Sequence, residues 1–264
     1  RAAGVPFQWA GLPTLDFQQG AAAEQWELHD RFKQEGLPFW TGFTHIQFML
    51  SVDFKRTLIF AQLGLQPWQD IVEIKDDEAK LAMLAVPTWR ARAREAWDSG
   101  FANNAFTPQS VTLRESENGA GPVGIKLEAF MAAENIAHPS DALADWVIRN
   151  GVDSVALQDG WATVPETIVR LLKDPQSIAN VSDAGAHGKM FCGAGDCVSL
   201  LTDYVRDGKH LTIEEGVRAL TGKQAEFFGL NDRGTIELGK AADIVVFNLD
   251  EIARRDEVRI WDIP

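Results

Sequence analysis

The run Ser182-Asp183-Ala184-Gly185-Ala186-His187 gathers residue types that can do chemistry. It follows the apolar stretch Ile178–Val181, so a carboxylate stands where a strand would end. From there Asp183 could bind a hard cation or take a proton from water. The small residues after it let a substrate approach the backbone closely, and His187 can donate or accept a hydrogen bond. Periodicity alone leaves a structural alternative open, with Asp183 capping the next helix and His187 packed.

Other candidate residues read more weakly. Cys192 and Cys197 are five apart, unlike the usual zinc pairs, and are expected to be buried thiols in a reducing compartment. His29 is expected to be exposed on a helix beside Asp30. His138, before Pro139, reads as loop, and His210 as solvated. Asp159-Gly160 reads as a turn, with a polar substrate contact as the alternative. Arg90, Arg92 and Arg94 read as a solvated helix face.

These residues need elements to position them. Val5–Trp9 reads as a strand, Ala21–Glu35 as a helix closed by Gly36, and Leu37–Phe43 as a second strand. Asp76–Trp97 is helical with a break at Pro87, and Val111–Glu115 is a short strand. Ser140 is placed to cap a helix that stops at Asn150-Gly151. The apolar run Ser154–Leu157 follows. Thr163-x-x-Glu166 and Thr212-x-x-Glu215 have capping-box spacing, and a further helix runs through Ser199–Val205. Such alternation predicts four parallel strands, within Val5–Phe43 and Ser154–Val181, side by side in chain order with helices on one face. Functional residues then belong on the loops at the carboxyl ends of the strands. Glycines 234 and 239 between β-rich runs predict that residues 234–247 pair as antiparallel strands of a separate small sheet.

Composition excludes several classes of function. The chain has 264 residues, 45% of them hydrophobic and 24% charged, which are globular values. No apolar run approaches the roughly 18 residues of a membrane span. With 25 Lys+Arg against 38 Asp+Glu the net charge is −13, a surface that repels phosphate backbones, so nucleic acid is not an expected partner. The first residues show no targeting signal, and a cytoplasmic location is expected. Nine Trp and 15 Phe stand against one Tyr.

The run VSDAGAHGKMFCGAG, then LLTDYVRDGKHLTIEEGVRALTGKQAEFFGLNDRGTIELGKAADIVVF and the closing Trp261-Asp262-Ile263-Pro264, resemble the D-aminoacylase-like (N-acyl-D-amino-acid deacylase) branch of the amidohydrolase superfamily. The likeness is strong over residues 177–264 and weak over 1–43; between them it lies mainly in the order of elements. It implies an α/β protein holding strands 5 to 8, the C-terminal half, of a (β/α)8 TIM-like barrel, with part of a small β-sandwich. Residues 1–232 would be the partial barrel and 233–264 the sandwich portion, both ends cut inside domains. By the same resemblance Asp183 is the catalytic residue and a metal ligand. It accepts the proton of the attacking water and delivers it to the leaving nitrogen; His187 and His45 are the candidate substrate contacts beside it, each with a structural role as the alternative. Zinc or another divalent metal is implied for the complete enzyme.

Two departures weaken the match. No His-x-His occurs, and Ala10 stands where the family's strand-5 histidine ligand is expected. His45, at the strand-6 ending GFTHIQF, stands near a ligand position, facing metal or substrate or else packed at a loop base. The expected function is metal-dependent hydrolysis of the C–N amide bond of a small N-acyl amino acid, D-configured ones included, or of a cyclic amide. Alternatives are a non-catalytic amidohydrolase-like binding subunit and an inactive truncated piece. The expected partners are a small-molecule amide and either a missing N-terminal half or a second copy of the chain, with no membrane. By itself the chain is expected to hold no tight metal.

Overall fold

The structure, a computed structural model, describes residues 7–12, 14–15, 19–47, 49–99, 106–160, 163–182 and 195–253, with backbone alone for 19–22. In chain order the elements are β1 (Phe7–Ala10), α1 (Gln19–Gln34), β2 (Phe39–Phe43), β3 (Leu50–Asp53), α2 (Ile59–Gln62), α3 (Gln66–Glu73), α4 (Asp77–Leu84), α5 (Pro87–Ser99), β4 (Val111–Glu115) and β5 (Ile125–Lys126). There follow α6 (Leu127–Glu134), α7 (Pro139–Asn150), β6 (Val155–Gln158), α8 (Pro165–Lys173), β7 (Ser177–Ala179), α9 (Asp196–Ser199), a π-helix (Leu200–Asp207), α10 (Ile213–Leu220) and α11 (Gly222–Phe228). The fold is mixed α/β, in two units. One comprises residues 1–47, 162–183 and 193–264, the other 48–161 and 184–192.

The first unit is built on a parallel sheet of order β1-β2-β7. Its register aligns Phe7 with Phe39, Ala10 with Gly42 and Phe43 with Ala179. Gly36, at φ +62°, turns the chain out of α1 as the sequence predicts. Phe32 of α1 then packs its ring edge-on against Phe7 and Phe39. On α8, Ile168, Leu171 and Leu172 share one face, and they close a core with Phe43, Leu200 and Tyr204. That core fixes the carboxyl end of β2, where His45 follows.

The second unit carries an antiparallel sheet of order β3-β6-β4-β5. Val155–Gln158, predicted as a parallel barrel strand, pairs antiparallel with both β3 and β4 instead. A four-residue apolar run specifies a strand but not its partner. Trp68, Trp97 and Trp146 are fully buried here. Their polar edges explain part of the Trp content: the indole N–H of Trp68 donates to Ser140 Oγ at 2.9 Å and that of Trp146 to the Pro122 carbonyl at 2.8 Å. Trp68 and Trp146 thus fill core volume and also tie two segments together.

Other expectations change locally. His138, not Ser140, caps α7, accepting from the Ser140 N–H, because Pro139 at the first helical position needs no partner. Pro165 likewise starts α8 after Val164, so the Thr163 box does not form, whereas the Thr212 box forms with both bonds. Residues 234–247 contain no strand, and Ile236, Val245 and Val246 are exposed. The composition favours β, but a hairpin needs a face to bury, and these side chains have none in the described structure.

Candidate functional site

Beyond the carboxyl end of β2 lies a pocket of about 270 Å³, lined by His45, Ile46, Gln47, Thr163, Pro165, Asp203, Tyr204 and His210. All belong to the first unit. β2 leads into His45; Thr163 precedes α8, and Pro165 opens it; the π-helix delivers Asp203 and Tyr204; and His210 comes from the turn after it. That turn is tight. A Cβ on Gly208 would lie 2.3 Å from the Asp203 carbonyl oxygen, so only glycine fits, and Lys209 takes φ +51°.

His45 is 4% exposed. Its Nε2 lies 2.9 Å from the Asp196 carbonyl oxygen, and its own carbonyl accepts the Tyr204 hydroxyl at 2.9 Å. Burial lowers the His45 pKa from its ordinary value, outweighing the Asp196 carbonyl and the Asp196 and Asp203 carboxylates, which act the other way. The ring is therefore neutral near pH 7. Burial, with the Asp203 charge, pushes the Tyr204 hydroxyl well above the ordinary range, so it stays a donor. Leu15 pairs with Thr163 in an isolated antiparallel bridge, and beside it Thr14, 1% exposed, leaves its Oγ1 without a partner among the described residues. The arrangement can hold a small polar molecule and offer it hydrogen-bond acceptors and an apolar wall.

Of the sequence-predicted site residues, His45 lines this pocket; Asp183 and His187 lie outside the described residues, as does Cys192. His210 is exposed, as expected, yet it forms part of the rim. Tyr204 and Asp203 were missed. The signal was present for Tyr204, the one Tyr in a chain with 15 Phe, since an isolated phenol among so many phenyl rings points to a needed hydroxyl.

Two candidates are corrected. His29 is fully buried, not exposed, because its side of α1 faces β2; Nδ1 lies 2.9 Å from Thr41 Oγ1 and Nε2 3.4 Å from Asp174. This Thr-His-Asp order resembles a nucleophile triad, but Thr41 is 0% exposed and no substrate reaches it. Cys197 is exposed rather than buried. The arginines of α5 are less free than a solvated face suggests: Arg90 pairs with Asp145 at 2.5 Å and Arg94 with Asp141 at 2.8 Å. Asp159 pairs with Lys126.

The described residues do not fit a metal. Ala10 ends β1 without a donor, the Nε2 of His45 is engaged by a carbonyl, and no three His, Cys, Asp or Glu side chains among the described residues come together. No described helix is long and apolar enough to cross a membrane.

The amidohydrolase family model matches residues 127–263, just over half of the chain, and the chain belongs to that family. An N-acyl-D-glutamate deacylase of Alcaligenes xylosoxydans xylosoxydans is 37% identical over 83 residues, which are 31% of this chain and 16% of that protein. Among solved structures, the zinc- and phosphonate-bound N-acyl-D-glutamate deacylase of Bordetella bronchiseptica superposes with TM-score 0.53 at 18% identity, over 97% of this chain and 43% of that one. A D-aminoacylase superposes with TM-score 0.51 at 17% identity, over 93% and 40%. The chain thus spans less than half the length of these relatives.

Proposed function

We propose that the protein hydrolyses the C–N amide bond of a small N-acylated amino acid, D-configured ones included, or of a cyclic amide. The observation that carries this is a polar pocket at the carboxyl end of a parallel strand in a chain of the amidohydrolase family. In this reading β1, β2 and β7 belong to a (β/α)8 barrel completed by chain outside this sequence. Residues 1–232 form the barrel portion, interrupted in sequence by the second unit, and the tail from 233 belongs to a small sandwich that acquires its strand partners in the longer protein. The exposed Ile236, Val245 and Val246 support that assignment.

Asp183 is assigned the proton transfer and His45 and His187 the substrate. Water oxygen bonds to the acyl carbon, the C–N bond breaks, and the water proton passes through Asp183 to the leaving nitrogen, giving a carboxylic acid and an amine. By the same reading Asp183 would be this chain's ligand to a divalent metal in the longer protein, whose remaining ligands would come from chain outside the described residues. Ala10 supports the competing reading, a non-catalytic amidohydrolase-like subunit. Amine release by the whole protein from N-acyl-D- and N-acyl-L-amino acids decides between them. We expect turnover, reduced at least about 100-fold in Asp183→Asn with folding retained, which is the scale of a lost general base. Absence of turnover across both series would favour the subunit.

A further inference from the structure

We infer that Tyr204 is a positioning residue: its hydroxyl fixes the main chain of His45 where the Asp196 carbonyl holds the ring as the Nε2–H tautomer, which leaves Nδ1 as the lone pair that this pocket residue offers to a substrate N–H or O–H. The tautomer follows from geometry, while the substrate role rests on the amide-hydrolase reading.

A carbonyl oxygen can only accept, so the 2.9 Å contact from His45 Nε2 to Asp196 puts the hydrogen on Nε2. In a neutral ring the other nitrogen then carries a lone pair. Tyr204 fixes the same residue from a second direction, its hydroxyl donating to the His45 carbonyl and its ring standing edge-on to the imidazole, 6.2 Å between centroids at 67°. Both partners come from one continuous helical stretch, Asp196–Asp207, whose second part is π-helical. The i→i+5 bonding of a π-helix widens the turn and costs hydrogen-bond geometry, so it survives where packing or a site demands it. Here Leu200, Leu201 and Tyr204 are buried in the core, which sets the rotation of the stretch. That rotation carries the hydroxyl of Tyr204 to His45, and Gly208 lets the chain turn immediately afterwards.

The test is a long-range ¹H–¹⁵N correlation spectrum of the whole ¹⁵N-labelled protein at neutral pH, with the His45 signals assigned by their loss in His45→Gln. The expected pattern is a protonated Nε2 and an unprotonated Nδ1. In Tyr204→Phe, which frees the His45 main chain and so loosens the ring from the Asp196 carbonyl, both signals should drift toward the average of the two tautomers, and KM should rise several-fold with kcat little changed. A wild-type His45 protonated on Nδ1 would overturn the inference, and so would unchanged His45 signals in a folded Tyr204→Phe protein. If circular dichroism shows that variant to be unfolded, the wild-type protein decides: a slowly exchanging Tyr204 hydroxyl proton close to His45 retains the inference, and a freely exchanging one overturns it. The tautomer pattern without any amide turnover retains this assignment and sinks the proposed function; turnover with Nδ1–H does the reverse.

Discussion

Lys223 sits at the base of the first unit, 3% exposed, its ammonium donating to the Leu172 carbonyl at 2.9 Å. Burial pushes its pKa down to about 8, although the Asp174 carboxylate acts in the opposite direction. Asp174 is itself the partner of His29 and Lys33. Burial would raise its carboxyl, but those two bonds and the Gln176 amide together hold it well below the usual carboxylate range. The two groups therefore act on stability in opposite pH windows. Asp174 contributes stability that is full above its unfolded pKa of about 3.9 and is lost as the solution is acidified further. Lys223 binds its proton more weakly folded than unfolded, so its penalty is full below pH 8 and fades as pH rises toward about 10.4. Urea unfolding at pH 7, 8, 9 and 10 should show wild type gaining stability relative to Lys223→Met across that interval. Parallel pH profiles for the two proteins would refute the assignment.

At the scale of elements, Thr212 and Glu215 form a reciprocal box at the start of α10, with Thr212 Oγ1 accepting the Glu215 N–H at 3.2 Å and Glu215 accepting the Thr212 N–H at 2.8 Å. Thr212→Ala should cost about 1 kcal/mol in urea unfolding, with Thr212→Ser close to wild type; equal loss in both would mean the cap bond contributes nothing. This helix was legible because its signal is local: a cap, its partner three residues on, and Ile213 and Leu220 packed against the core. Thr163-x-x-Glu166 had the same spacing and failed because Pro165 started the helix later. β1, β2 and β7 were legible as strands, and so was Val155–Gln158. Its antiparallel pairing was not, since that depends on β3, a hundred residues away in sequence, and strand pairing is set by packing and not by composition. The pocket was half legible for a similar reason. His45 stands at a strand end, a place where function is expected, whereas Asp203 and Tyr204 reach the pocket only through a π-helical turn that an α-helical period does not predict.

For the molecule as a whole, the decisive feature is how the parallel sheet ends. β1 and β7 are its outer strands, so each carries a row of backbone donors and acceptors on the side away from β2. No described strand pairs with those rows. The tail adds Ile236, Leu238, Val245 and Val246, all more than 80% exposed, within a dozen residues. Unpaired edges and contiguous exposed apolar side chains both recruit further chain, and the net charge of −13 opposes but does not remove that tendency. The 264-residue chain alone is therefore expected to self-associate, while a protein of the relatives' length, more than twice as long in the N-acyl-D-glutamate deacylase structure, has additional chain to cover these surfaces. Light scattering at micromolar concentration tests this. The expected result is a dimer or larger species whose size grows with concentration and whose association weakens in Val245→Lys/Val246→Lys. A monodisperse species of 29.1 kDa with a single cooperative melt would show instead that the chain satisfies its own sheet edges, and the barrel completion proposed above would lose its physical motive.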